Sequence, residues 1–144
     1  MIYLDTSVVV SLYSPDVNSA AAVGFLQTCG DAFLITTLCE QEAVNAFELR
    51  VFRHQISNAQ AEISLSDFAL DLRNRVIQLR TLPESAFERA RQLSRDFTAK
   101  LGTRAADVLH VAAAVELGAN GFFTFDLQQR QMAAAARLAV ITLP

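Results

Sequence analysis

Apolar positions along this chain fall in short β-branched runs separated by longer stretches of helical period. The first run, IYLD over 2–5, predicts a short buried strand, and a helix is expected directly after it over 6–13. A second helix is expected over 16–29 with Asp16 as its cap, because Asp is favoured at helix N-termini. AFLIT over 32–36 predicts the second strand, followed by a helix over 38–54. The next helix spans 58–74, with Asn58 as cap and Ala61, Leu65, Phe68 and Leu72 at helical spacing. VIQLR over 76–80 alternates in the period of a strand. Pro83 to Lys100 predicts a helix with proline near its first turn. The stretch 103–117 is apolar nearly all round, which predicts a buried helix that Gly118 ends. GFFTF over 121–125 is a strand, 127–136 a helix and AVITL over 139–143 a last strand.

Strands that alternate with helices imply an α/β fold, with a central, mostly parallel sheet between two helical layers. The short apolar strands suit burial on both faces. In such folds ligands sit beyond the carboxyl ends of the strands. No repeat or low-complexity tract divides the chain, and its three prolines and five glycines punctuate rather than form a linker, so one domain over 1–144 is expected.

Composition adds exclusions. A hydrophobic fraction of 52% with 19% charged residues describes a folded domain rather than a disordered chain. Cys29 and Cys39 form no CxxC pattern and there are two histidines, so a Cys/His zinc site is not expected. MIYLDTSVVVSLY lacks a basic leading region and is interrupted by Asp5, unlike an export signal. No run is long enough to span a bilayer, and two free thiols fit a reducing cytoplasm.

The net charge of −3 argues at first against a nucleic-acid partner. The four acids assigned below to one site account for more than all of that charge. The basic residues are eleven arginines and Lys100. Arginine's planar fork suits phosphate, although such a bias also arises from genomic composition.

Asp5 ends the first strand and Asp126 follows GFFTF, where a ligand site is expected. Each also suits helix capping, and Asp126 with Gln129 resembles a capping box. Asp107 lies between apolar flanks in TRAADVLHVAAAVEL, so its carboxylate needs a cation, hydrogen bonds or a proton. Arg104, three residues away, is the structural partner that would satisfy it without a metal. Glu42 in TTLCEQEAVNAF shares a helix face with Asn45, whereas Glu40 points elsewhere. An acid in a first helical turn is also an ordinary solvated residue.

Carboxylates with few histidines suit hard cations such as Mg²⁺ or Mn²⁺, which activate water for attack on a phosphodiester. Ser7 and Thr124 are hydroxyls near the strand ends that either orient water or serve as cap and strand residues. His110 follows Asp107 on the same face, as a general acid or as a satisfied buried histidine.

The segments IYLDTSVVV, TTLCEQEAVNAF, TRAADVLHVAAAVELGANGFFTFD and LAVITL together resemble the PIN-domain family, and within it the VapC-like toxins. The resemblance implies a three-layer α/β/α domain in which distant acids meet in one pocket. It places Asp5, Glu42, Asp107 and Asp126 on the family's acidic positions. Ser7, Asn45, Arg104, His110 and Thr124 are the supporting residues that the local sequence pattern suggests beside them. It further implies a Mg²⁺- or Mn²⁺-dependent endoribonuclease, a homodimer and inhibition by a cognate VapB-like antitoxin. The non-enzymatic alternative is a PIN-like scaffold that binds RNA or protein. A receiver domain needs a lysine after a late strand, but Lys100 lies in a helical pattern. A haloacid-dehalogenase phosphatase needs Asp-x-Asp, but Thr6 and Ser7 follow Asp5.

Overall fold

A computed structural model of the chain describes residues 1–143. The strands are β1 (Ile2–Leu4), β2 (Phe33–Thr36), β3 (Ile77–Arg80), β4 (Gly121–Phe123) and β5 (Ala139–Ile141). They form one sheet in the order β3-β2-β1-β4-β5, with every pair parallel. The helices are α1 (Thr6–Tyr13), α2 (Ser19–Thr28), α3 (Thr37–Phe52), α4 (Asn58–Arg73), α5 (Ser85–Leu93), the short turn α6 (Ala99–Leu101), α7 (Ala105–Glu116) and α8 (Leu127–Ala135).

The pleat sorts side chains into two cores, because successive strand residues face opposite sides of a sheet. Ile2, Leu4, Phe33, Ile35, Ile77 and Phe123 join Val9 of α1, Phe47 of α3 and Phe68 of α4 on one side. Tyr3, Leu34 and Phe122 join Ala86 and Leu93 of α5, Val111 of α7 and Met132 of α8 on the other. Burial on both faces explains why β1, β2 and β4 read as continuous apolar runs, whereas the edge strands β3 and β5 are partly exposed. The three-layer α/β/α architecture is the one expected from the sequence.

The order places β1 at the centre, with β2 on one side and β4 on the other. The chain leaves β1 in one direction and returns to its other side through β4. A crevice opens at such a switch point, at the carboxyl ends of the strands. There the Asp5 backbone N–H donates to the Phe123 carbonyl at 3.1 Å, so the two strand ends are fixed against each other.

Local boundaries depart from expectation where side chains compete for caps. The helix expected from Asp16 begins at Ser19. Asp16 instead accepts hydrogen bonds from Asn18 N–H, Ser11 and Arg50, joining three segments. Ser57, not Asn58, caps α4, in a reciprocal capping box with Gln60. The helix expected to run unbroken from Pro83 to Lys100 widens into a π-helical segment at Ser94–Thr98. The GFFTF strand stops at Phe123, because Thr124 turns to receive the Asp126 N–H. Among the described residues no helix is long and apolar enough to cross a membrane. Both cysteines are free thiols.

Candidate functional site

Four acids reach the carboxyl end of the sheet from four elements. Asp5 is the N-cap of α1, where its Oδ1 accepts from Val8 N–H at 3.2 Å and from Ser7 Oγ at 2.7 Å. Ser7 Oγ in turn accepts the Phe125 N–H at 3.0 Å, which ties the start of α1 to the segment after β4. Asp5 is almost completely buried, and burial pushes its carboxyl above the usual range against the pull of Ser7, His110, Val8 and Thr124. Capping and a second role coexist here, since the cap uses only Oδ1.

Glu42 lies on the inner side of α3. Its Oε2 accepts from Thr6 Oγ1 at 2.5 Å and from His110 Nε2 at 2.6 Å. Burial raises its carboxyl, but these hydrogen bonds and the nearby Arg104 guanidinium outweigh burial and hold it below the ordinary value. Of the two neighbouring acids, Glu42 accepts these hydrogen bonds and Glu40 does not. Asn45 does not join it. Asn45 is exposed and lines a shallow surface groove with Glu40, Gln41, Val44 and Glu48.

Behind Glu42 runs a buried chain of hydroxyls that the sequence did not reveal. Tyr3 OH lies 2.8 Å from His110 Nδ1 and 3.0 Å from Thr36 Oγ1. Burial pushes the Tyr3 phenol well above its ordinary value, so it keeps its proton. A carboxylate only accepts, so His110 donates through Nε2, and with the Tyr3 phenol protonated its Nδ1 accepts the hydrogen bond from Tyr3 OH. Thr36 then donates to the Tyr3 oxygen. The direction runs Thr36 to Tyr3 to His110 to Glu42. His110 thus meets the acids through its hydrogen bond to Glu42. The only sequence signal for Tyr3 was a polar tip inside a wholly apolar strand.

Partners one step removed from an essential carboxylate typically matter 10- to 100-fold. Tyr3→Phe keeps the ring stacked on Phe122, whose centroid is 5.4 Å away, and deletes only the hydroxyl. A loss of about tenfold in divalent-ion affinity is expected for Tyr3→Phe. His110→Gln, which still offers a donor to Glu42, should lose less than His110→Ala. Calorimetric Mn²⁺ titration checks both, with Glu40→Gln as the variant expected to match wild type.

Asp107 and Asp126 occupy first-turn and cap positions of their helices. Asp107 is buried at the third position of α7. Arg104 Nε donates to its Oδ2 at 2.9 Å and Arg104 Nη2 to its Oδ1 at 3.3 Å. The ion pair weighed as the non-metal alternative is thus formed. Asp126 caps α8 by accepting the Gln129 N–H at 2.7 Å. The expected capping box is only half made. The Gln129 amide instead reaches the Asp107 carbonyl at 3.5 Å, bracing α8 against α7. Thr124 is buried and faces Asp5.

One cation links the set. The Arg104 guanidinium is raised above its ordinary value by Asp107 first, and it also feels Asp126 and Glu42. Among the described residues, no three His, Cys, Asp or Glu side chains converge as a ready-made metal cage. Each acid is instead turned toward a local donor. Glu42 and Asp126 spend one oxygen on that donor and leave the other without a hydrogen bond among the described residues. Gln129 Oε1 is also buried with no partner. The Arg130 Nε is likewise buried with no partner among the described residues, and the free oxygens of Glu42 and Asp126 are acceptors that a hydrated hard cation would suit. Four carboxylates as the oxygen donors fit Mg²⁺ or Mn²⁺.

The sequence pattern of the PIN domain matches residues 2–135. The chain belongs to the PIN-domain family. Solved structures share the fold at low identity. Mycobacterium tuberculosis VapC20, described as a sarcin–ricin loop cleaving toxin, superposes with a TM-score of 0.69 at 16% identity, covering 94% of this chain and 95% of VapC20. Neisseria gonorrhoeae FitAcB gives 0.67 at 20% identity, over 99% of this chain and 97% of its own. Rickettsia felis VapBC2, solved bound to a DNA fragment from their promoter, gives 0.67 at 16% identity over 98% of each chain. No curated protein matches the chain.

Proposed function

We propose that this PIN domain is a Mg²⁺- or Mn²⁺-dependent endoribonuclease, the toxin half of a VapBC-type toxin–antitoxin pair. The observation that carries the reading is Asp5, a buried carboxylate at the end of the central strand whose ionisation burial disfavours. A natural protein retains such a group where a cation compensates it. Asp5, Glu42, Asp107 and Asp126 are the residues that would hold the ion. When bound, the ion supplies charge neutralisation at the scissile phosphate and lowers the pKa of the attacking water.

The chain's own residues do the rest. His110 and Thr6 fix the Glu42 carboxylate from two sides. Ser7 and the Val8 N–H fix Asp5. Gln129 holds the first turn of α7 at the distance that α8 sets. Structural likeness to VapC20 supports RNA as the substrate, and likeness to the VapBC2 complex supports an antitoxin partner. An acidic pocket receives an antitoxin arginine well, because a fork-shaped cation pairs with two carboxylate oxygens at once. A homodimer belongs to the same reading. It would cover apolar surface such as Phe52, Ile63 and Phe87, which are 79%, 61% and 48% exposed.

Expression of the chain alone should arrest bacterial growth, and co-expression with its antitoxin should relieve the arrest. Arrest that persists with Asp5→Asn would contradict the nuclease reading and favour a scaffold that acts by binding.

A further inference from the structure

We propose that Arg104 is the site's own counter-cation, which holds Asp107 until a divalent ion displaces it and then serves an RNA phosphate. This rests on the nuclease reading above.

The pairing is lopsided. The Arg104 side chain is 75% exposed, while that of Asp107 is 11% exposed. A buried carboxylate needs a counter-charge, so Asp107 depends on a cation. An exposed guanidinium is well solvated and gains little from the pair. The contact is therefore strongly needed by one partner and cheaply given up by the other.

The pairing also uses the atoms that a metal would need. Arg104 spans both Asp107 oxygens, Nε to Oδ2 at 2.9 Å and Nη2 to Oδ1 at 3.3 Å. Guanidinium and divalent ion then compete for the same two atoms. Arg104 competes for more than Asp107, since its charge is also felt by Asp126 and Glu42.

Asp107 does not rely on the guanidinium for its place. The Arg104 backbone N–H lies 3.3 Å from Asp107 Oδ2, and Gln129 grips the Asp107 carbonyl at 3.5 Å. The Arg104 side chain can leave while its own backbone keeps the carboxylate oriented. Once released, it remains anchored at the N-cap of α7, one side-chain length from the acids. A planar fork with no acid to bind is suited to a phosphate oxygen pair. The metal-free site thus neutralises itself, and metal loading converts the neutralising group into a substrate contact.

The two roles predict opposite effects of one substitution. Mn²⁺ titration by calorimetry, without RNA, should show Arg104→Gln binding the ion roughly two- to fivefold more tightly than wild type. Arg104→Lys keeps the charge without the fork and should fall between them. With Mn²⁺ saturating and a pool of RNA hairpins as substrate, Arg104→Gln should raise KM more than it lowers kcat. The slope of log affinity against log salt should fall by about one. Mn²⁺ affinity that is unchanged or weaker in Arg104→Gln overturns the competition. An unchanged KM and salt slope overturn the phosphate contact. If neither wild type nor variant binds Mn²⁺, the metal-nuclease reading itself fails and this inference fails with it.

Discussion

Asp5→Asn is expected to lower RNA cleavage by more than about 100-fold, beyond the range typical of residues one step removed from a metal, while raising the melting temperature of the metal-free protein. The two effects share one cause. Asp5 is buried at the end of β1, and burial raises its folded-state pKa above the unfolded value. The folded protein then holds the proton more tightly than the unfolded chain. Stability falls as pH rises from the unfolded value through the folded one, and above the folded value the full penalty of a buried charge is present. Asparagine carries no charge and remains a good N-cap, so Val8 N–H keeps its acceptor. The stability gain should grow as pH rises toward the folded pKa of Asp5 and vanish toward the unfolded pKa of an aspartate. Glu42 should behave in the opposite way. Its hydrogen bonds from His110 and Thr6 hold its folded pKa down, so its ionised form stabilises the fold above the unfolded value and loses that effect as pH falls. Glu42→Gln should therefore lower the melting temperature at neutral pH. Thermal melts of both variants between acid and neutral pH check the pair of signs. A destabilised Asp5→Asn at neutral pH would mean that its carboxylate is satisfied without a cation.

Divalent ions should raise the melting temperature of the wild type on the order of 5–10 °C at one hundred times Kd. A ligand that binds only the folded state contributes about 2.7 kcal/mol at that excess, and a domain of this size gains about 2–4 °C per kcal/mol. The rise should shrink in Asp5→Asn, in Asp107→Asn and in Glu42→Gln, each of which loses an anionic ligand. Asp107→Asn separates the two roles of its residue. If pairing with Arg104 were its only function, the substitution would lower metal-free stability and leave the metal-induced rise intact. Because that ion pair is exposed on the arginine side, its own contribution is small and the loss of the metal-induced rise should dominate.

Much of the architecture was legible because burial on both sheet faces leaves a simple mark. IYL, FLIT and GFF read as short apolar strands, and α7 reads as a buried helix whose lone carboxylate demands a reason. The caps were less legible. Asp16 and Ser57 both suit a helix start, but Asp16 is drawn to Arg50 and Ser11 from elsewhere in the fold, which no local pattern displays. The π-helical widening at Ser94–Thr98 likewise leaves no mark in a periodicity that tolerates one extra residue. At the site, the acids stood out as charges in apolar surroundings. Tyr3, Thr6 and Gln129 did not, because each looks ordinary within its own element. Their roles arise only from contacts across the fold, with sequence separations of 107, 36 and 22 residues. Asn45 shows the converse. A helical spacing of three placed it beside Glu42, yet it stands exposed, lining a groove with Glu40, Gln41, Val44 and Glu48.

The most direct measurement is cleavage of a structured RNA pool by purified, antitoxin-free protein, run in parallel with Mn²⁺, with Mg²⁺ and with excess EDTA, for wild type and Asp5→Asn. Fragments should form with either ion in the wild type, cease with EDTA, and be nearly absent in Asp5→Asn under every condition. Equal cleavage in EDTA, or undiminished cleavage by Asp5→Asn, would contradict a metal-dependent ribonuclease centred on these carboxylates.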